Sequence, residues 1–238
     1  MGQGIQQPPV EQGGGGSSFL DVFKVLYEPT AAFERVRVRP SFLAPFLAII
    51  AVQCILFFVN LPYLKAAIQA QMATAPQSRP VPGTAVLAVF GLLGLVIVLG
   101  IIFLVTGLIL YVLVSVLGGG ETKFSTMLSV ATYSAVPSTI LLSIVGTIVL
   151  HMQGTGQLTS PQDMQPALGL DLLAPGMKGF MGAVLKAINP FSIWGVVLTA
   201  TGVSTTQRTP KGTGYTVALI TFVIGLLIAG GLAAVFNR

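Results

Sequence analysis

The longest apolar stretch of the chain decides its fold. Residues 85–117 read AVLAVFGLLGLVIVLGIIFLVTGLILYVLVSVL, and none of these 33 residues carries a charge. A helix of that length is about 50 Å long, whereas the hydrocarbon core of a bilayer is about 30 Å thick. We interpret the stretch as one long helix, tilted or protruding, that crosses a membrane. The alternative is a hairpin that turns near Gly100; its legs of about 16 residues are too short to cross, and it would give six spans.

The composition agrees with a membrane protein. Only 8% of the residues are charged, against about 25% in an ordinary soluble domain, and the mean hydropathy is +0.87. So few charges cannot cover a water-soluble fold, which nearly excludes a soluble enzyme. The single cysteine, Cys54, excludes a disulfide within the chain and a cysteine-based zinc site. The single histidine, His151, leaves no imidazole pair for a metal.

Five apolar segments are long enough to be spans. We place them at about 42–62, 85–117, 126–150, 190–206 and 214–236. Each segment is continuously apolar and does not alternate in polarity, which indicates helices and not the strands of a barrel. The predicted fold is therefore all-α, a polytopic bundle of five transmembrane helices with interfacial amphipathic helices. The fourth span is the weakest, because threonine and serine dilute it, and we expect it inside the bundle.

The residues before the first span divide into two segments. Residues 1–17 are rich in Gly and Gln, have no secretory-signal pattern, and are predicted to form a disordered tail. Residues 18–40 are amphipathic, with Phe19, Phe23 and Phe33 on an apolar side and a restart at Glu28 and Pro29. We expect a pair of interfacial helices here; a cytoplasmic segment packed on the loops fits the pattern equally well.

A second amphipathic stretch precedes the fourth span. Apolar side chains recur with helical spacing over residues 177–188, and two lysines flank the stripe. This pattern predicts a helix in the outer interface of the membrane. Asn189 followed by Pro190 is typical of a helix start, and Trp194 lies one turn further, at the depth of an aromatic belt.

The distribution of lysine and arginine predicts the orientation. With five spans, seven of the 12 cationic residues fall on the side of the N-terminus and five on the other. The positive-inside rule then places the N-terminus in the cytoplasm and the C-terminus outside. The linkers 63–84 and 152–176 are predicted to be solvent-exposed outer loops. No cluster of cations indicates a nucleic-acid partner.

Four stretches of sequence form a recognisable set. They are residues 26–33 (LYEPTAAF), the 117–120 end of the second span (LGGG), residues 124–125 (FS) leading to 133–137 (YSAVP), and the start of the fourth span at 189–194 (NPFSIW). Together they resemble the bacterial branch of the Yip family, the Ypt- or Rab-interacting membrane proteins. The resemblance extends over roughly residues 19–236. It is a pattern of sparse residues in the right order.

The resemblance implies a five-helix bundle with a cytosolic N-terminus and a scaffold-type role in membrane organisation. Eukaryotic members of the family act in vesicle traffic and are associated with prenylated Rab GTPases. This sequence lacks their long cytosolic domain and their Asp-Leu-Tyr-Gly-Pro sequence, so no Rab GTPase partner is inferred for it. Without Rab features, a Yip-like chain is expected in a bacterial inner membrane.

The spans contain little that could perform chemistry. No Asp or Glu lies inside any of them, although an ionisable group is the usual sign of an intramembrane functional site. We therefore expect no enzyme activity, no cofactor and no metal. Gln53 and Asn60 are expected to bond between helices. Pro137 should kink the third span, because proline lacks the N–H that continues a helix.

Two hypotheses about function remain open. The first is a scaffold or adaptor that has no chemistry of its own and contacts the lipid bilayer, other membrane proteins or a second copy of itself. Its candidate interface residues are Phe19, Phe23, Glu28, Pro29, Phe33, Gly118, Gly119, Gly120, Pro137, Asn189, Pro190 and Trp194. The alternative is a small transporter or channel component for a neutral or lipid-like solute, with its site near Pro137 and the polar fourth span.

Overall fold

A computed structural model describes residues 22–73, 83–118 and 121–236. The predicted tail at 1–17, Phe19, Gly119, Gly120 and the middle of the 63–84 linker lie outside the described residues. All regular structure of the described residues is helical, which confirms the all-α prediction. The helices are α1 (Pro29–Val38), α2 (Leu43–Ala73), α3 (Thr84–Leu117), α4 (Phe124–Ser134), α5 (Leu142–Gln153), α6 (Gly179–Ala187), α7 (Pro190–Gln207) and α8 (Lys211–Phe236).

Four segments among the described residues are long and apolar enough to cross a membrane. They are α2, α3, the run Phe124–Gln153 that joins α4 to α5, and Lys211–Val235 of α8. Helices α6 and α7 form a fifth span if they are taken together, although the chain bends by 65° between them. The bundle thus has four to five spans. The fifth span includes α7, the hydroxyl-rich segment that the sequence predicted to be the weakest span.

The apolar stretch at 85–117 forms one helix. Helix α3 has 34 residues and no break at Gly100, so the six-span alternative is wrong. Helix α2 has 31 residues and continues through Pro62 to Ala73. The prediction of a loop from residue 63 onward is therefore wrong as far as Ala73. Alanine, glutamine, leucine and methionine dominate this stretch, and all of them favour helix.

The third span is interrupted where the sequence predicts a kink. Helix α4 ends at Ser134, and Pro137–Leu141 forms a π-helical turn before α5 begins. Because Pro137 has no N–H, the regular hydrogen-bond ladder cannot pass through it. The helical hydrogen bonds resume at Thr139, whose N–H donates to the Ala135 carbonyl at 2.8 Å.

The bundle has two ends, which we name by their loops. The hairpin end carries α1 and the short connections at 118–123 and 208–210, and the long-loop end carries residues 154–178. The main core lies toward the hairpin end, around α4, which is buried from Thr126 to Ser134. At the long-loop end, two 3-10 turns, Pro161–Met164 and Leu170–Leu173, interrupt the predicted loop, and Leu158 packs there with Ala67 and Leu150.

Helix α1 packs on the bundle. Its apolar residues Ala32, Phe33 and Val36 are buried, and the helix contacts α7 and α4. Val22 and Val25, in the turn of chain before it, are also completely buried. Of the two interpretations that the sequence allowed for this segment, the packed one describes α1, and its apolar side is not offered to a bilayer.

Candidate functional site

The N-terminal candidate residues separate into a core residue and surface residues. The Phe33 side chain is fully buried. Its ring meets Tyr133 edge-to-face with the centroids 6.4 Å apart, and it lies against Gly202 of α7. Phe33 offers no surface to a partner, contrary to its predicted role. An amphipathic pattern shows that a face is apolar, but it does not show whether that face meets another protein or the rest of its own fold.

The surface residues of this segment lie at the hairpin end. Phe23 and Tyr27 are 47% and 66% exposed, Glu28 is exposed, and Pro29 begins α1. At the same end Gly118 follows α3, and its N–H donates to the Val114 carbonyl at 2.7 Å. Phe23, Glu28 and the Gly118 turn, which belong to the predicted docking surface, therefore lie at the same end of the bundle.

The candidates at the start of α7 lie at the opposite end of the bundle. The Asn189 side chain accepts a hydrogen bond from the Ser192 N–H at 3.0 Å, and the Ser192 hydroxyl bonds the Asn189 N–H in return. This reciprocal pair is a capping box, and Pro190 occupies the first helical turn. The predicted helix start is confirmed. Asn189 is buried and holds the bend between α6 and α7, whereas Trp194 is 38% exposed.

Four hydroxyl groups of α7 bond within their own helix. The hydroxyls of Thr199, Thr201, Ser204 and Thr206 each donate to a carbonyl of the preceding turn of α7, at 2.7–2.9 Å. Pro137 is buried, and its π-helical turn packs on α7. The turn at Pro137 and helix α7, the two parts of the predicted transport site, thus lie together. The four hydroxyl groups, however, donate to carbonyls of α7 itself.

A mainly apolar cavity with a few polar side chains lies elsewhere, between α2 and α5. It has a volume of about 540 Å³ and is also lined by Leu95 of α3 and by Lys186 of α6. Gln53 donates to the Ser143 hydroxyl at 2.9 Å and to the Thr139 carbonyl at 2.6 Å. Asn60, two turns along α2, donates to the Thr147 hydroxyl at 2.9 Å. The expectation that Gln53 and Asn60 bond between helices is confirmed.

Two groups at this cavity have unused hydrogen-bonding capacity. The Asn60 Oδ1 atom is buried and has no hydrogen-bond partner. Lys186 donates from Nζ to the Gln165 carbonyl at 2.8 Å, which uses one of its three protons. Burial lowers the pKa of Lys186, while the carboxylates of Asp171 and Asp163 oppose that shift. The unpaired Asn60 oxygen is costly because it is buried, whereas the partly exposed Lys186 amine has two further protons that a ligand could accept.

The long loop is fixed over the mouth of the cavity. Pro166 and Leu168 lie about 4 Å from where a Cβ would stand at Gly146 of α5. The Asp163 carboxylate accepts from the Thr159 hydroxyl and N–H and from the Ser160 N–H, at 2.7–2.9 Å. These bonds, the Thr159 hydroxyl first, lower the pKa of Asp163, and partial burial opposes them. Gly169 lies against the carbonyls at the end of α6, which holds the loop beside Lys186.

The first half of α3 is almost free of protein contacts. No described residue between 84 and 102 is buried, and the first buried position is Phe103. In the most apolar 18-residue stretch of α3, 6% of the residues are buried. The corresponding share is 17–22% in the three other spans that consist of one unbent segment. Gly94 and Gly100 face open space, whereas Gly91 lies against the Phe57 ring of α2. The helix therefore presents apolar surface and two uncovered glycines within the membrane.

A family model described as the Yip1 domain matches residues 23–233 of the chain. The chain belongs to the Yip1 family. It is also similar to the membrane protein YknW of Bacillus subtilis (strain 168), with 28% identity over 216 residues that cover 89% of this chain and 88% of that protein. No solved structure matches the chain. The resemblance that the sequence carried is confirmed, and both matches extend over nearly the whole Yip1 bundle.

The cavity is the feature that sequence reasoning missed in this Yip1 chain. Gln53 and Asn60 are seven residues apart, so they share one face of α2, which is the signal that could have indicated a common polar surface. Lys186 stood out only as a flank of an amphipathic stripe. Its approach to the cavity depends on the 65° bend before α7, which the sequence does not give.

Proposed function

We propose that this Yip1 family protein is a membrane-embedded adaptor that holds another membrane protein and has no chemistry of its own. The observation that carries this proposal is the first half of α3, in which no residue from 84 to 102 is buried in the bundle. The spans contain no Asp or Glu that could act as a catalytic acid or base, and neither the family nor the relative that it resembles is named for an enzyme activity.

The uncovered glycines support a helix as the partner. Glycine within a helix is less stable than alanine by about 1 kcal/mol, so Gly94 and Gly100 weaken α3 without a packing gain inside the chain. In lipid, small residues let two helix backbones approach closely, and the contact is stabilised by packing. A transmembrane helix of another protein seated on α3 would give these positions the contacts that the bundle does not supply.

The hairpin end provides a second surface for the same partner. Phe23 and Tyr27 are exposed there beside the cations of α1. In the proposed orientation the N-terminus and this end lie in the cytoplasm of a bacterial inner membrane and the C-terminus lies outside. The partner would then touch the adaptor within the bilayer through α3 and at the cytoplasmic surface through the segment before α1.

Handling of a neutral or lipid-like solute is the second candidate. The specific observation in its favour is the mainly apolar cavity between α2 and α5, with its few polar side chains, and not the predicted site at Pro137. A flux assay in liposomes separates it from the adaptor function. An adaptor gives no flux, whereas flux that falls when Gln53 is replaced by leucine would favour transport.

Co-purification tests the adaptor proposal. The tagged full-length protein is cross-linked in its native membranes, and the recovered proteins are identified by mass spectrometry. We expect a recurrent, stoichiometric membrane protein with the wild-type chain and its loss with the double variant Gly94→Ile, Gly100→Ile. The matched control is Gly225→Ile in α8, where a Cβ also meets no atom within 4 Å, and it should retain the partner. Recovery of the wild-type protein without a partner, or equal loss in the control, would overturn the proposal.

A further inference from the structure

We propose that the cavity between α2 and α5 binds a single-chain, lipid-like amphiphile that has an anionic headgroup and a hydrogen-bond donor next to it on the side of the chain. The inference rests on the lining of the cavity and is independent of the adaptor function. Its three parts, a cation at the mouth, an acceptor below it and an apolar floor, each select one part of the ligand.

The acceptor is Asn60 Oδ1. This atom is buried without a partner, while the Nδ2 of the same side chain donates to Thr147. An unpaired carbonyl oxygen among apolar groups has lost its bond to water without a replacement. It requires an O–H or N–H donor, and the ligand hydroxyl or amide beside the headgroup supplies one.

The cation is Lys186. Its amine keeps two protons after bonding the Gln165 carbonyl. Each nearby carboxylate has partners of its own: Asp163 accepts from Thr159 and Ser160, and Asp171 accepts from the Gly169 N–H at 2.8 Å. A phosphate at the mouth of the cavity would receive the two remaining protons. Lys186 is the one charged side chain among the described residues that line the cavity, and Asp163 and Asp171 lie outside that lining. The lining therefore matches an anionic headgroup.

The remaining lining selects an acyl chain. It includes the apolar side chains Leu56, Phe57, Leu64, Leu95 and Leu142. The volume of about 540 Å³ lies within the range of about 300–1,000 Å³ for ligand cavities. The ligand would lie with its headgroup at the long-loop end and its chain running toward Gln53 in the middle of the membrane. Free phosphate has no apolar group that could pack on this surface. The phosphate at the mouth therefore belongs to a lipid headgroup.

Binding of three matched probes to the full-length protein in phosphatidylcholine nanodiscs tests the inference. The first probe is palmitoyl-lysophosphatidylglycerol, which has a phosphate and a free sn-2 hydroxyl. The second is its sn-2 O-methyl ether, which lacks the donor, and the third is monopalmitoylglycerol, which lacks the phosphate. We expect the first probe to bind about tenfold more tightly than either of the others, the ratio that one charged or buried hydrogen bond gives.

Variants assign the two contacts. Lys186→Gln should weaken lysophosphatidylglycerol to the level of monopalmitoylglycerol, Lys186→Arg should keep binding, and Lys178→Gln on the exposed side of the same segment should change nothing. Asn60→Leu should remove the preference for the free hydroxyl over its methyl ether, whereas Ile55→Leu, at a position of α2 that is 62% exposed, should keep it. Equal affinity for the three probes, or equal loss with Lys178→Gln and Lys186→Gln, would overturn the inference, since neither contact would then select the ligand.

Discussion

At the scale of single residues, the glycines of the bundle divide into close contacts and open positions. A Cβ at Gly214 would collide with the Ala200 carbonyl oxygen and with the Ser204 hydroxyl, where α8 crosses α7. A Cβ at Gly225, further along α8, would meet no atom within 4 Å. The Ala200 carbonyl is part of the backbone and cannot change rotamer as a side chain can. Helices α7 and α8 must therefore separate to admit a methyl group at position 214.

The change Gly214→Ala should therefore destabilise the protein, by about 1–3 kcal/mol as in other overpacked sites. Gly225→Ala should be neutral or stabilising by up to about 1 kcal/mol, since alanine favours helix over glycine. Unfolding in detergent, followed through the fluorescence of Trp194, the single tryptophan, measures both. A Gly214→Ala variant as stable as the Gly225→Ala variant would show that the close approach of α7 and α8 is absent.

Asp163 gives a residue-scale prediction about pH. Its folded pKa is lowered, first by the Thr159 hydroxyl, so its contribution to the 159–163 turn is present above the unfolded pKa, about 3.9. The contribution is lost as the pH falls through the lower, folded pKa. We expect Asp163→Ala to reduce the hydrogen-exchange protection of this turn at pH 7, and variant and wild type to converge as the pH falls through the lowered pKa of Asp163.

The matched control for this turn is Gln162→Ala. Gln162 is exposed in the same 3-10 turn and makes no side-chain bond to it. It should leave protection at pH 7 unchanged. If Asp163→Ala and Gln162→Ala protect the turn equally well at pH 7, the carboxylate does not hold the loop.

Residue-scale inference from sequence was right where the chemistry is local. The Asn189–Pro190 helix start and the break at Pro137 follow from backbone hydrogen bonding alone, so neighbouring sequence was enough to predict them. Phe33 shows the limit: its partners Tyr133 and Gly202 lie 100 or more positions away in the chain. No local pattern distinguishes such a core contact from a docking face.

At the scale of elements, α2 and α5 are joined by polar side chains. Gln53 makes two bonds to α5 and its π-helical start. Hydrogen bonds between transmembrane helices are worth about 0.6 kcal/mol on average and up to about 1.7 kcal/mol. We expect Gln53→Leu to destabilise the bundle within that range in an SDS unfolding titration. The control Ile55→Leu, at a position 62% exposed, should have no effect, and equal stability of the two variants would mean that these bonds contribute nothing.

Element lengths were predictable from charge and hydropathy only in part. The uninterrupted apolar run of α3 determined one helix, because no shorter pair of legs could cross a bilayer. Helix α2 passed its predicted end because Pro62 and Lys65 end the apolar run but do not end the helix. Helix propensity carries the chain on for about three further turns, and these turns support the long loop over the cavity.

At the scale of the whole molecule, the burial of the bundle is uneven. The core is concentrated around α4 near the hairpin end, while the cavity and the uncovered half of α3 lie toward the long-loop end. Composition and family resemblance predicted the all-α membrane fold. They did not predict this asymmetry, because it depends on which faces of equally apolar helices meet. Apolar content looks the same for a face that meets lipid and one that meets protein.

Site-specific photo-cross-linking from α3 tests the adaptor account most directly. A photoreactive amino acid replaces Val98, which shares a face with Gly94 and is 54% exposed, or, as the control, Leu219 of α8, which is 52% exposed. Illumination of native membranes that contain the full-length protein should give one protein adduct of defined mass from position 98 and only lipid adducts from position 219. Lipid adducts alone from both positions would contradict the account, because α3 would then face the bilayer as an ordinary outer helix.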